Sequence, residues 1–148
     1  MIDNDIQLLR EFKWLKTTLI LTSIILISFW AYFFLVEIHN PKISDSYIAH
    51  ELSFPFPDIF WIVALLLLAL RWLKQNDIKG LVAIICAGSA LVFLALIDIS
   101  YNTTQGVYMQ SVGDFILNIT INALSLFYGL KLISVGYILF NKITNRTI

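Results

Sequence analysis

The side chains that could act as an acid, a base or a metal ligand fall mainly in the stretches 37–58 and 98–114. Carboxylates and imidazoles together are what a metal site, a proton relay or an acid/base pair requires. The imidazoles are His39 and His50, and the sequence HEXXH is absent. His39, His50 and Glu51 are therefore weak candidates for a metal site, with a solvated loop as the alternative. The acidic residues of both stretches are Glu37, Asp45, Glu51, Asp58, Asp98 and Asp114.

Asp98 stands at the end of an apolar run, a position that indicates an ionisable group within the membrane. Small residues on a helix face allow a second helix to approach closely. At about 100° per residue, such a face is shared by Asp98 with Gly80, Ala83, Ala87 and Ala90. We therefore expect Asp98 to point into a helix bundle, with a charge emerging at the membrane surface as the alternative.

A second polar stripe runs along the last apolar segment, where Asp114, Asn118, Asn122, Ser125 and Gly129 recur at helical spacing. Amide side chains in hydrocarbon require partners, because unpaired polar groups are costly there. The sequence predicts either hydrogen bonds between helices or an outward-facing acidic, Asn-lined polar pocket. The predicted pocket consists of Asp98, Asn102, Asn118 and Asn122, with Tyr108 and Asp114 beside them and Asp58 and Trp61 at the rim.

Asp58 and Asp114 each directly precede an apolar run, in Pro57-Asp58 and Gly113-Asp114. Aspartate is a favoured N-cap residue, and its charge suits the amino end of a helix. We expect both to cap helices, which is compatible with a place at the rim of a pocket.

The elements that position these residues are four apolar segments. The 148 residues are 59% hydrophobic and 14% charged, with a mean hydropathy of +0.82, whereas soluble domains are about 45–50% apolar and about 25% charged. A helix needs about 20 residues to cross a hydrocarbon core of about 30 Å. The sequence predicts an all-α fold, an integral membrane four-helix bundle forming a single domain over 1–148, with helices at 17–36, 59–73, 80–97 and 115–140.

Two further segments have sequence patterns that predict their local backbone structure. Apolar residues at helical spacing predict a short amphipathic N-terminal helix before the first span, and they are Ile2, Ile6, Leu9 and Phe12. In contrast, the run Phe54-Pro55-Phe56-Pro57 predicts a departure from regular helix, since each proline disfavours the helical conformation of its predecessor.

The basic residues predict the orientation, because cytoplasmic loops carry an excess of Lys and Arg. The two ends of the chain and the turn between the second and third helices carry Arg10, Lys13, Lys16, Arg71, Lys74, Lys79, Lys142 and Arg146, whereas the other two connections carry only Lys42. We expect a multi-pass cell-membrane protein with both termini cytoplasmic. The frequent Ile, Asn and Lys favour a bacterial inner membrane.

Two residues within apolar runs have simple explanations. Cys86 is the single cysteine, which excludes an internal disulfide and a CxxC pair, and we expect it to be a small packing residue. Lys131 lies away from the polar stripe, and we expect its long side chain to extend toward the inner surface. The formal net charge of zero gives no indication of nucleic acid binding.

In size and helix count the chain resembles small multidrug exporters and DoxX-like proteins. The exporters have an acidic residue within the first helix, whereas the first apolar run here has none before Glu37. The cysteine pairs of quinone-linked disulfide oxidoreductases are also missing. No functional residue is therefore transferred from these families.

The sequence leaves three functions open. The leading hypothesis is a small membrane binding or accessory protein that holds a lipid, a small molecule or a partner subunit. The second is a membrane-embedded enzyme acting on a lipid-like substrate with aspartates as acid and base. The third is a small transporter or channel formed by homo-oligomerisation. No motif identifies a cofactor, and the lipid bilayer is the one partner that composition implies.

Overall fold

A computed structural model gives the protein as a chain of helices, with no strand among the described residues 2–41, 43–75 and 77–144. Side chains are described for 13–41, 43–75, 77–113 and 115–143. The helices are α1 (Ile2–Leu35), α2 (Asp45–Glu51), α3 (Pro55–Pro57), a π-helix (Asp58–Val63), α4 (Ala64–Lys74), α5 (Lys79–Thr104) and α6 (Val112–Thr144), with 3-10 turns at Glu37–His39 and Val107–Met109.

Among the described residues, four helical segments are long and apolar enough to cross a membrane, as predicted, and the chain thus has the elements of a multi-pass membrane protein. These segments are Lys13–His39, Asp45–Lys74, Lys79–Thr104 and Phe115–Ile143. The helices extend beyond the predicted bounds because polar residues such as Asp98 and Asn102 continue α5 by normal helical hydrogen bonding. The apolar length of a segment marks its membrane-crossing part rather than the whole helix.

The first segment of the chain is one helix. α1 begins at Ile2 and continues without interruption to Leu35, so the segment before the first span is helical but is not a separate short helix. The side chains of 2–12 lie outside the described residues, and the amphipathic character of this segment stays a prediction.

The predicted departure from regular helix at 54–57 is wrong for Pro55–Pro57, which form a short α-helix that continues into the π-helix Asp58–Val63. Phe54 is the N-cap of α3, and Pro55 is its first residue. Proline is tolerated in the first helical turn, where a missing N–H removes no intrahelical hydrogen bond. The two prolines therefore begin and end α3, within the segment Asp45–Lys74.

The chain forms two compact units, Met1–Gln75 and Asn76–Ile148. In the first unit α1 packs against α4 and the π-helix. Its helices bury large side chains at helical spacing, which are Leu15, Leu19, Trp30 and Phe33 of α1 and Ile62, Val63, Leu66 and Leu73 of the second membrane segment. Bulky apolar residues thus fill the core of this unit.

The second unit is a helical hairpin in which α5 and α6 pack along their lengths. The helices approach closely at two glycines. A Cβ on Gly88 would lie 2.6 Å from the carbonyl oxygen of Gly129, and a Cβ on Gly129 would lie 2.7 Å from the carbonyl oxygen of Gly88. Gly88 lies one residue from the predicted small-residue face, of which Ala87 is buried. Backbone therefore packs on backbone at this crossing.

Cys86 and Lys131 of the second unit lie within apolar runs of the sequence, but both are exposed rather than buried. Cys86 is exposed, so its predicted role as a packing residue is wrong. Its neighbours Ala87 and Gly88 occupy the packed face of α5 instead. Lys131 is exposed on α6.

Candidate functional site

The second unit contains a buried polar contact that joins α6 to the connection before it. Asn122 is 3% exposed, and its Nδ2 donates a hydrogen bond to the Tyr108 hydroxyl oxygen at 3.0 Å. Tyr108 belongs to the 3-10 turn Val107–Met109, which packs against both α5 and α6. Two residues of the predicted pocket are thereby brought together.

The local sequence explains how Tyr108 reaches Asn122. Gly106 has a φ of 67°, in the left-handed region that glycine adopts without steric cost, and it reverses the chain at the end of α5. Val107 is buried directly after this reversal and anchors the turn. The Tyr108 side chain can therefore extend along the first turns of α6.

The remaining polar residues of the predicted pocket in this unit differ in burial. Asn102, on α5, is 5% exposed. Asp98 lies one helical turn earlier on the same helix and is half-buried, as is Asn118 on α6. The prediction that Asp98 and Asn102 line one polar pocket stays a prediction.

The turn that carries Tyr108 borders an open depression of about 330 Å³. Tyr108 and Phe115 are the aromatic residues of its lining. Their ring centroids are 6.0 Å apart, and the angle between the ring planes is 75°. Met109 and Val112 add large exposed apolar surfaces to its rim, and Ser111 completes the lining. Sequence reasoning included Tyr108 but missed the other four, because they lie outside the polar stripes.

Asp114 is in the first turn of α6, which begins at Val112. The predicted helix start at Phe115 is therefore three residues late, and the N-cap prediction for Asp114 is wrong. Its side chain lies outside the described part of the structure.

Asp58 and Trp61, the predicted rim residues, belong to the first unit. Asp58 is 3% exposed, and its Oδ2 accepts a hydrogen bond from Trp30 Nε1 at 3.0 Å. Since α3 begins at Pro55, Asp58 is the fourth helical residue and not the N-cap. Trp61 is exposed.

Trp30 is a polar partner that sequence reasoning missed. It lies near the end of the first apolar run, and Asp58 lies near the start of the second. Consecutive helices joined by a connection place these two ends on the same side of the membrane. The indole N–H requires an acceptor when buried, so topology was the signal that could have identified the pair.

The weak metal candidates lie between the end of α1 at Leu35 and the start of α3 at Pro55. His39 ends the 3-10 turn Glu37–His39 and is exposed. His50 and Glu51 close α2, and the His50 ring packs at 4.9 Å against that of Phe54. Within the described ranges, no group of three or more His, Cys, Asp or Glu side chains could hold a metal ion.

The fold and these contacts define an all-helical protein with four segments capable of crossing a membrane. Comparison of the chain with protein-family models, curated proteins and solved structures finds no match. Function must therefore be argued from the polar contacts and surfaces of the chain itself.

Proposed function

We propose that the protein is a polytopic membrane binding or accessory protein, whose second unit holds a ligand at the end that carries Tyr108 and Asn122. The observation that carries this proposal is the 3.0 Å hydrogen bond from Asn122 Nδ2 to the Tyr108 hydroxyl. Because the hydroxyl accepts this bond, its own hydrogen points away from Asn122 and can be donated to another acceptor.

The location of this donor supports binding from the membrane boundary. Tyr108 lies in the connection between the segments Lys79–Thr104 and Phe115–Ile143, and it lines the depression of about 330 Å³. A volume near 300 Å³ is at the small end of the range for ligand sites. The site therefore suits one polar group of a larger molecule.

We infer that this end of the second unit faces outward, with both termini in the cytoplasm, because the basic residues favour that orientation. In the same arrangement the part of α1 that precedes the span at Lys13 lies at the inner surface with an amphipathic pattern, and the host membrane is a bacterial inner membrane. Attaching a reporter that is active only in the cytoplasm to residue 148 or to the connection at Gln110 tests the orientation. Activity at Gln110 and none at residue 148 would contradict it.

Native mass spectrometry of protein extracted gently from its own membrane tests the binding function. Wild type is compared with Asn122→Ala and Asp98→Asn, and Thr120→Val is the control because Thr120 is exposed on the same helix. We expect wild type and Thr120→Val to retain a bound species that Asn122→Ala loses.

A wild-type protein without a bound species, or equal retention in Asn122→Ala and wild type, would overturn the proposal. Asn122 would then serve only to fasten the connection to α6. Size-exclusion chromatography of each variant establishes that a lost ligand does not reflect lost folding.

A further inference from the structure

The end of the second unit that carries the depression has an acidic balance. The stretch 80–130 contains no Lys or Arg, and its formally charged residues are Asp98 and Asp114. An anionic ligand would find no cationic side chain of this stretch, whereas a ligand with a positive group meets a complementary charge distribution.

The aromatic lining of the depression suits a positive group as well. The rings of Tyr108 and Phe115 meet edge to face, and Phe115 is 43% exposed. An ammonium group over an aromatic face gains about 0.5–2 kcal/mol, and aromatic clusters recognise quaternary ammonium ligands in this way.

A hydrogen-bond donor lies next to these rings. The Tyr108 hydroxyl accepts from Asn122 and can donate its hydrogen to an oxygen of the ligand. The depression therefore offers one ring environment for a cation and one donor for an acceptor oxygen, and both are supplied by Tyr108 and its neighbour Phe115.

The rim of the depression is apolar and exposed. Met109 is 92% exposed and Val112 is 77% exposed, in the connection between two membrane-crossing segments. Exposed apolar side chains at this level insert into the boundary between headgroups and acyl chains. A ligand with an apolar part continuous with the bilayer matches this rim better than a free solute.

We propose that the depression binds the headgroup of a zwitterionic phospholipid, with the ammonium group on the rings of Tyr108 and Phe115 and a phosphate oxygen accepting from the Tyr108 hydroxyl. This inference rests on the proposed function and names the ligand class of the same site. The open depression of about 330 Å³ would take the headgroup, while the acyl chains remain in the bilayer.

The test is a native mass spectrometry titration with phosphatidylcholine and phosphatidylglycerol of identical acyl chains, added separately to delipidated protein. Both lipids carry a phosphate, but only phosphatidylcholine carries an ammonium group. A ring-cation energy of about 0.5–2 kcal/mol corresponds to a preference of roughly 2-fold to 30-fold for phosphatidylcholine. We expect a preference within that range for wild type.

Two variants separate the two parts of the recognition. Phe115→Leu removes one ring and should reduce the preference for phosphatidylcholine, whereas Phe127→Leu, at an exposed position of the same helix, should leave it unchanged. Tyr108→Phe keeps the ring and removes the donor. It should therefore weaken the binding of both lipids by a similar factor and preserve the ratio of their affinities.

The outcomes distinguish the two proposals. If phosphatidylglycerol binds as tightly as phosphatidylcholine and Tyr108→Phe weakens both, the headgroup inference is wrong while the binding function stands. If Tyr108→Phe changes the binding of neither lipid, and wild type from its own membrane carries no ligand, both the binding function and the headgroup inference are wrong. Binding of soluble phosphocholine as tight as that of the lipid would overturn the lipid as the source of the headgroup.

Discussion

The two units of the protein hold their helices together by different means. In the first unit large side chains occupy the space between helices, with Phe33 fully buried and Trp30 bonded to Asp58. In the second unit the backbones of α5 and α6 meet at Gly88 and Gly129, with no side chain between them. The first interface depends on bulky side chains that fill the space between the helices. The second depends on glycines, which have no side chain to separate the two backbones.

This difference predicts opposite sensitivities to mutation. Removing atoms should damage the first unit, because a cavity forfeits contacts on all sides. Adding atoms should damage the second unit, because close-packed helices cannot accept a Cβ at 2.6–2.7 Å from a carbonyl oxygen. The polar contacts, Trp30 with Asp58 and Asn122 with Tyr108, should contribute less than packing in both units.

The largest effect is expected for Phe33→Ala. Phe33 is 0% exposed, and truncation of a buried Phe costs about 3–5 kcal/mol in protein cores. Because lipid solvates an exposed ring in the unfolded state, we expect about 3 kcal/mol. The measurement is the free energy of unfolding in detergent.

The neighbouring residue provides a matched control for Phe33. Phe34 is 44% exposed on the same helix, so Phe34→Ala should change the free energy of unfolding by less than about 1 kcal/mol. Equal losses in the two variants would mean that volume in the first unit is not what holds α1 in place.

The opposite change is tested by Gly129→Ala. Its Cβ would meet Gly88 O at 2.7 Å and Val92 Cγ2 at 2.9 Å, and overpacking of this kind costs about 1–3 kcal/mol. Gly113→Ala is the control, because its Cβ would meet only Ser111 Oγ, at 3.6 Å. Thermal unfolding should show a lower midpoint for Gly129→Ala alone, and an unchanged midpoint would argue against backbone contact at this crossing.

The sequence predicted these two interfaces unequally for a physical reason. Apolar length is imposed by the thickness of the bilayer, so the four membrane segments were predictable from composition. Whether Gly88 or Ala87 lies at the crossing depends on how α6 packs against α5. Composition alone does not specify that packing. For the same reason, Cys86 was expected in the interior and is exposed.

The candidate site shows the same limit. Asn122 was predictable as a buried polar residue, since its stripe is visible in the sequence. Its bond to Tyr108 depends on the left-handed conformation of Gly106, which redirects the chain after α5. Similarly, the sequence predicts Asp58 as an N-cap, because it does not show that the helix begins at Pro55. In the structure Asp58 lies within the helix, and its side chain accepts a hydrogen bond from Trp30.

A smaller loss is expected from the polar contact of the first unit. Trp30→Phe removes the indole donor from a buried carboxyl oxygen, for which we expect a cost of about 1–2 kcal/mol. The control is Trp61→Phe on the π-helix, because Trp61 is 58% exposed. Unfolding of both variants in detergent should separate them, and equal stabilities would show that the bond to Asp58 contributes nothing measurable.

The smallest loss is expected from Tyr108→Phe. The substitution removes the acceptor of Asn122 Nδ2, and polar contacts within membrane proteins contribute about 0.6 kcal/mol on average. Tyr137→Phe is the control, since Tyr137 is 62% exposed on α6. A loss for Tyr108→Phe as large as that for Gly129→Ala would show that the polar contact, rather than the glycine crossing, closes the second unit. The Tyr108 hydroxyl would then be a structural fastening first, and its role as a donor to a ligand would have to be separated from folding by the lipid titration.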